Sequence, residues 1–277
     1  MMSRATSMKT PDMHTTFGFQ KIPFTREIAV HDMLPMTHLD EQRDALLEQL
    51  ERRMSAAIIA PAGAGKSCLL RALRARLPEA RYRVHYVKVT DLGKRDLCRE
   101  IATAIGAEPA GTYPMLVRRL QEHFEHTSAV DGVRTVLVVD EAHDIRPDVL
   151  GVLRILTNFE WDSRLVLAVI LAGQPKLETM LKQAPLEDVA QRLSYYARLR
   201  LLSRDESERY LEHRCAVAGA STVPFDASAL EGIFEISRGN LRAIDQLCLA
   251  ALGVAAKRGA KVVSNADIVL ARKHVLL

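Results

Sequence analysis

Ala60-Pro61-Ala62-Gly63-Ala64-Gly65-Lys66-Ser67 follows an apolar, strand-like stretch, and Val136-Leu137-Val138-Val139-Asp140-Glu141 comes later in the chain. The first run has the make-up of a phosphate-binding turn. Set between a strand and a helix, residues Pro61, Ala62, Gly63, Ala64, Gly65, Lys66, Ser67 and Cys68 would aim backbone N–H groups at a triphosphate. Lys66 would reach the β- and γ-phosphates, and the Ser67 hydroxyl would ligate Mg²⁺. The second run ends a buried strand in Asp140, placed to hold the metal through water, and Glu141, placed to orient and activate the attacking water. In this order and on these elements, the two runs specify ATP hydrolysis with ATP and Mg²⁺ as cofactors. The phosphate-loop pattern asks for glycine at position 60, where this chain has Ala60. That position closes the turn without touching phosphate, so a small side chain is tolerated, while Gly63 and Gly65 stand where the backbone must approach the ligand.

The elements that must position these residues can be read from periodicity. Thr37 with Asp40 resembles a capping box opening a helix whose Leu39, Leu46, Leu47 and Leu50 share a face. Strands are expected at Ala56–Ile59, Val84–Val89, Thr135–Asp140, Leu165–Leu171 and Ala197–Leu201. The intervening helices follow the phosphate loop as far as Pro78, then cover Lys94–Ile105, Tyr113–His126 and Pro147–Asn158, with a further pair before the last strand. Strands alternating with helices, several of them continuously apolar, predict an α/β fold with a parallel five-stranded sheet covered by helices on both faces. A ligand would then bind at the carboxyl ends of the strands, where the phosphate loop and Asp140 fall. From Ser203 onward the pattern is helical only, with Ser203 and Glu206, Asp226, and Ser264 and Asp267 as N-caps and Gly239-Asn240 as a separator. The expected organisation is an N-terminal extension over 1–35, partly disordered to residue 16, with an aromatic anchor from Phe17-Gly18-Phe19 to Pro23-Phe24. A nucleotide-binding core over 36–202 and a helical lid over 203–277 complete it.

A chain of 277 residues with 48% hydrophobic residues can bury one large core and a small second domain, but two complete catalytic domains would be crowded. No apolar run approaches the roughly twenty residues of a membrane span. The polar start, Met1 to Thr16, has no signal-peptide segment, so the expected location is cytoplasmic with no membrane partner. Cys68, Cys98, Cys215 and Cys248 are far apart and read as buried reduced thiols rather than a zinc site. The net charge of +4 permits a polyanionic partner without demanding one. Its distribution says more, with Arg71, Arg74, Arg76, Arg81 and Arg83 after the phosphate loop and Lys94, Arg95 and Arg99 after the next strand. Lys257, Arg258, Lys261, Arg272 and Lys273 lie near the C-terminus.

Other polar residues fall at telling places. Strand four runs into Leu171-Ala172-Gly173-Gln174, which puts Gln174 between the two motifs, within reach of the γ-phosphate or the attacking water. Arg192, on a helix before the last strand, could reach a neighbouring subunit's γ-phosphate, the arginine-finger role, with Arg198 and Arg200 on that strand as alternatives. Arg242 in Gly239-Asn240-Leu241-Arg242 could bridge lid and nucleotide. Glu141, Lys66, Arg192 and Gln174 form the expected catalytic set, with Ser67 and Asp140 on the metal and Arg242 on the nucleotide.

The order of these features resembles the AAA+ ATPases, whose Walker A, Walker B, sensor 1, arginine finger and sensor 2 match the phosphate loop, Asp140-Glu141, Gln174, Arg192 and Gly239-x-x-Arg242. The opening from Phe17 to Phe24, Leu171–Leu177, Gln191-Arg192-Leu193 and the stretch from Tyr210 to Gly219 resemble the ExeA-like group. That group includes secretion-pathway ATPases and transposon helpers of the MuB, TnsC and TniB type. The resemblance implies an ATP-dependent oligomer, a hexameric ring or a helical filament. Secretion-type members anchor in the membrane and carry a cell-wall-binding portion, which this sequence lacks, so the expectation tilts to a transposition helper that binds duplex DNA without sequence preference and recruits or regulates a transposase. On that similarity Lys94, Arg95 and the Thr112 region would face DNA phosphates. The secretion-type ATPase or protein remodeller is the alternative. Asp140-Glu141-Ala142-His143 also resembles the DEAH helicases, but their second domain and its glycine-rich QRxGRxGR run are missing after Gln191-Arg192. An ATP-gated adaptor that scarcely hydrolyses is a further reading, against which Glu141 argues.

Overall fold

A computed structural model describes residues 13–88, 91–130 and 132–275. They form α1 (Met13–Phe17), α2 (Thr37–Glu51), β1 (Ser55–Ile59), α3 (Lys66–Arg76) and β2 (Tyr82–Lys88). Next come α4 (Lys94–Ala104), α5 (Tyr113–Val130), β3 (Arg134–Asp140), α6 (Pro147–Leu150), α7 (Val152–Leu156) and β4 (Leu167–Gly173). The chain continues through α8 (Lys176–Leu181), α9 (Glu187–Ala190) and β5 (Leu193–Arg198), and ends in α10 (Arg204–Val217), α11 (Ala227–Ser237), α12 (Leu241–Lys257) and α13 (Asn265–Arg272). Two compact units result, residues 35–200 and residues 1–34 with 201–277.

The first unit is a five-stranded sheet in the order β2-β3-β4-β1-β5, with every pairing parallel. The inner strands β1, β3 and β4 are buried along almost their whole length because both faces are covered, whereas the edge strands β2 and β5 carry polar residues such as Arg83, Lys88, Ser194 and Arg198. Ala57, Ile59, Leu137, Val139, Val169 and Leu171 join one apolar cluster with Leu97 and Ile101 of α4 and Leu116, Leu120 and Phe124 of α5. The alternate residues Ala56, Ile58, Val136, Val138 and Ile170 are buried as well, on the face that Leu46 and Leu50 of α2 and Leu69 and Leu73 of α3 help to cover. The fold class expected from the sequence is the one observed. Parallel pairing brings the ends of β1, β3 and β4 to one carboxyl edge, which is where the phosphate loop and Asp140 sit.

The second unit is helical. Ser203 accepts from the Glu206 N–H while the Glu206 carboxylate accepts from the Ser203 N–H, and Asp226 and Asn240 cap α11 and α12 through their side chains. Asp267 takes the Ser264 N–H and hydroxyl at 2.8 and 2.9 Å, as read from the sequence. The N-terminal aromatic anchor belongs to this unit: Phe19 and Phe24 are buried, and Phe24 meets Phe225 edge to face at 6.1 Å. Arg214, itself buried, stacks over Phe24 and donates to the Thr25 carbonyl at 2.6 Å. Tyr210 donates to Asp245 at 2.9 Å, and Arg214 lies 3.4 Å from the same carboxylate. Burial dominates there and pushes the Asp245 carboxyl up to about 6 despite the arginine.

Several expectations are corrected. Residues 13–17 form a helix rather than disordered chain, while 1–12 lie outside the described residues, as does Val89 at the end of the second expected strand. Thr37 is the first helical residue and Met36 the cap, without a side-chain bond, so Thr37 and Asp40 make no capping box. Of that helix's leucines only Leu46 and Leu50 are fully buried. The single helix expected over Pro147–Asn158 is two short ones meeting at Gly151. The last strand lies earlier than expected, because Leu193 and Ala197 supply its buried positions; Arg200 therefore falls beyond it, and Gln191-Arg192 occupies the turn after α9 instead of a helix. Cys68 is half-buried, the other three cysteines are buried, and all four are free. Among the described residues no helix is long and apolar enough to cross a membrane.

Candidate nucleotide site

The turn after β1 owes its shape to two glycines. Gly63 and Gly65 have φ of 74° and 90°, a region closed to most side chains, and Gly65 is the residue before the first turn of α3. Ala60 needs no such freedom: it is buried, and its N–H continues the ladder to the Gly173 carbonyl at 2.9 Å. Three features follow from this path. The N–H groups at the start of α3 are left for a ligand, the positive end of the helix points at that ligand, and Lys66 and Ser67 stand on the first turn.

Lys66 is only 12% exposed, and an ammonium so placed needs counter-charge. The Asp140 and Glu141 carboxylates provide it, at 2.5 and 2.9 Å from Nζ. Burial alone would raise the Asp140 pKa, but hydrogen bonds from Lys66, the Tyr86 hydroxyl at 2.8 Å and the Glu141 N–H at 2.8 Å outweigh it and hold the carboxyl below its ordinary range. Burial and the Asp140 bond drive the Tyr86 phenol far above its normal value, so it stays a donor. Glu141 adopts the left-handed conformation, φ 55°, which is uncommon for a glutamate and typical of strain kept at functional positions. The chain turns there into Ala142–Asp144, and His143 is buried with Nδ1 3.5 Å from Glu141 Oε2. The Gln174 N–H points to the same Nδ1 at 3.4 Å, which ties the end of β4 to the Asp140-Glu141 turn.

The donors suit a hard cation: a carboxylate and a hydroxyl, both oxygen, beside a point where two carboxylates already converge on a positive charge. Ser67 and Asp140 would hold Mg²⁺, which on binding neutralises part of the triphosphate charge. Lys66 would exchange its carboxylates for phosphate oxygens, and that exchange would free Glu141 to accept a proton from water.

Lys66, Ser67, Asp140, Glu141 and Gln174 thus come together at one edge. Arg192 does not join them. It precedes Leu193, which pairs with Ser55 at the amino end of β1, whereas the phosphate loop follows Ile59 at the other end, roughly 13 Å along the strand. Its guanidinium is held by Asp162. Arg198, paired with Ile59 in register, is on the phosphate-loop side but engages Glu178 at 3.0 Å. Arg242 is exposed on the first turn of α12, in the helical unit. Lys94, Arg95 and Thr112 are brought close by one contact, Arg95 Nε to the Gly111 carbonyl at 3.0 Å; all three are exposed, and Lys94 lies 3.9 Å from Asp148. Tyr86 and His143 are the members of the site that were not assigned from sequence. The alternation of β2 beside β3 was the available signal for Tyr86, and the DEAH-like run already contained His143.

Residues 48–181 match the family model described as an AAA domain. General secretion pathway protein A of Aeromonas hydrophila is 34% identical over 215 residues, 77% of this chain but 39% of the relative, so the chain spans about two fifths of that protein. Among solved structures, Cdc6p from Pyrobaculum aerophilum superposes with TM-score 0.71 at 19% identity, over 92% of this chain and 70% of the other. The Aeropyrum pernix ORC1 protein in complex with DNA gives 0.71 at 18%, over 92% and 69%. The Thermotoga maritima RuvB Holliday junction branch migration motor gives 0.59 at 16%, over 87% and 70%. The parallel five-stranded sheet with its phosphate loop agrees with these likenesses. The chain has the P-loop α/β fold of these structures, and its residues 48–181 resemble an AAA domain.

Proposed function

We propose that this chain is a Mg²⁺-dependent ATPase that assembles with copies of itself in the ATP state, binds duplex DNA through backbone phosphates and regulates a transposase. The observation that carries the ATPase reading is Lys66 Nζ held between Asp140 and Glu141 at the mouth of the phosphate loop. Glu141 acts as the base for water, Gln174 as its polar neighbour, and Arg192 as a finger toward another subunit's γ-phosphate, since the sheet separates it from its own loop. The DNA reading is supported by the exposed group of Lys94, Arg95 and Thr112, and by the likeness to a DNA-bound ORC1 and a branch migration motor.

One observation favours a second reading. The 34% identical relative is a secretion protein, which supports a secretion-type ATPase driving a protein client. Nucleotide binding and turnover of Lys66→Ala and Glu141→Gln test the chemistry. Lys66→Ala should lose binding, and Glu141→Gln should hold ATP while turnover falls about 10²–10⁴-fold. Equal ATP affinity in the two variants would overturn the roles. Fluorescence anisotropy with unrelated duplexes separates the clients, and absence of binding with ATP, a non-hydrolysable analogue and ADP alike would leave the protein client.

A further inference from the structure

Three arginines meet at the amino end of the sheet's outer strand. Arg81 and Arg83 flank Tyr82 at the start of β2, and Arg134 opens β3, paired with Tyr82 in register. The Tyr82 ring is buried, and the Arg81 and Arg134 guanidiniums lie 5.8 and 5.7 Å from its centre. Arg134 also donates to the Tyr82 hydroxyl at 3.1 Å, and its N–H donates to the Arg81 carbonyl at 2.9 Å. Arg83 donates to the Glu79 carbonyl oxygen rather than to a carboxylate. Among the described residues none of the three makes an ion pair. Arg74 and Arg76, in the last turn of α3, are exposed and unpaired as well, but there the negative end of the helix answers part of their charge. A solvated charged face normally interleaves acids with its cations, whereas Glu79 is the only acid between Arg71 and Arg83. Two like charges fixed on one ring, beside a third, lack a counter-charge, and the chain itself does not supply it.

Resting on the DNA reading, we infer that Arg81, Arg83 and Arg134 form a second contact surface for duplex DNA, holding its backbone phosphates. A phosphodiester offers each guanidinium fork two oxygens and a charge. Stacking on Tyr82 fixes two of the forks before the ligand arrives, so little side-chain freedom is lost on binding. Between Arg71 and Arg83 the large apolar side chains Leu73, Leu77 and Tyr82 are all buried, so a protein partner would find no apolar anchor there, while a polyanion needs none. Lys94 and Arg95 follow the other end of β2 in the chain. The seven residues of that strand span roughly 20 Å, less than the ~34 Å of one duplex turn, so a single duplex is long enough to meet both groups. Contacts of this kind position a duplex without reading its sequence.

Anisotropy of unrelated labelled duplexes over a salt series, with Mg²⁺ and a non-hydrolysable ATP analogue, tests the triple variant Arg81→Gln, Arg83→Gln and Arg134→Gln. Three lost phosphate contacts should flatten the log–log slope by about 2.7 units and weaken binding roughly 10²–10³-fold near 0.1 M salt. ATP turnover without DNA should not change. Because Arg134 packs on Tyr82, the double variant Arg81→Gln and Arg83→Gln, which leaves that contact in place, is measured beside it and should flatten the slope by about 1.8 units. Replacing all three arginines by lysine keeps the charges and should keep the slope. Unchanged slopes in both glutamine variants, with the parent binding normally, would overturn the arginine surface and leave Lys94 and Arg95 as the DNA contact. A lysine variant as weak as the triple glutamine variant would show that charge is not what these residues supply, and would overturn it too. A parent that binds no duplex with any nucleotide removes the DNA reading itself. Poly-L-glutamate that displaces the duplex from the parent at equal charge concentration would assign the surface to an acidic protein and overturn DNA as its occupant.

Discussion

The Tyr86 hydroxyl donates to Asp140 Oδ2 at 2.8 Å from the strand paired with Asp140's own. A carboxylate 5% exposed thus has three donors in Lys66, Tyr86 and the Glu141 N–H, which is why it remains ionised in a buried position. Tyr86→Phe removes one donor from a charged acceptor, a loss worth about 1.5–3 kcal/mol when water cannot substitute. Tyr86 is 50% exposed, so water restores part of it, and the expected loss is about 1 kcal/mol with ATP binding retained. Urea unfolding of variant and parent measures it.

The Lys94, Arg95 and Thr112 group gives a salt-dependent prediction. If Lys94 and Arg95 neutralise phosphates, duplex affinity in ATP should fall steeply between about 50 and 200 mM salt, and replacing both residues by alanine should flatten the log–log slope by about two units. An unchanged slope in the double variant would remove these residues from the interface.

Two glycines of the helical unit make a matched pair. A Cβ on Gly239, at φ 78°, would lie 2.0 Å from the Leu202 carbonyl oxygen, which is backbone and cannot swing away. Gly239→Ala should therefore destabilise the protein by about 3 kcal/mol or more. A Cβ on Gly253, inside α12, would meet nothing within 4 Å, so Gly253→Ala should stabilise by about 0.5–1 kcal/mol. Thermal unfolding of the two variants should move in opposite directions.

Asp267 sets a pH dependence. Hydrogen bonds from Arg258, followed by those from Ser264, outweigh burial and hold its carboxyl down to about 2. A depressed folded value means that the ionised form stabilises the fold. The contribution is complete above the unfolded value near 4 and is lost as pH falls through about 2. Arg258 is half exposed, so screening reduces the effect to about 1–2 kcal/mol. Asp267→Asn should be less stable than the parent at pH 7 by that amount, and the gap should close between pH 5 and 2. A gap constant across that range would show that Asp267 acts through packing alone.

The nucleotide edge was legible because its signals are local. The glycines of the phosphate loop, the apolar run into Asp140-Glu141 and the caps at Ser203, Asp226 and Ser264 each declare a conformation within a few residues. What sequence could not give depends on pairing across the sheet. The register of β5 against β1 decides that Arg192 faces away from its own phosphate loop, and only the placement of β2 beside β3 brings Tyr86 to Asp140. The Asp162 partner of Arg192 comes from the turn before β4, with no periodicity to announce it. The early shift of the last strand has the same origin, since the pairing of Tyr195 and Tyr196 with Ala56 and Ala57 carries it back from Ala197.

The tie between Phe24, Thr25 and Arg214 bears on how the chain is made. On the ribosome the anchor segment emerges before the 35–200 unit, yet its partners Arg214 in α10 and Phe225 between α10 and α11 emerge only after that whole unit has been synthesised. That unit, a continuous stretch, can fold as it appears, while Phe19 and Phe24 wait exposed in the nascent chain. Holding factors would find their targets at those phenylalanines, and a synonymous change that slows translation beyond residue 200 would lengthen the exposure without altering the finished protein.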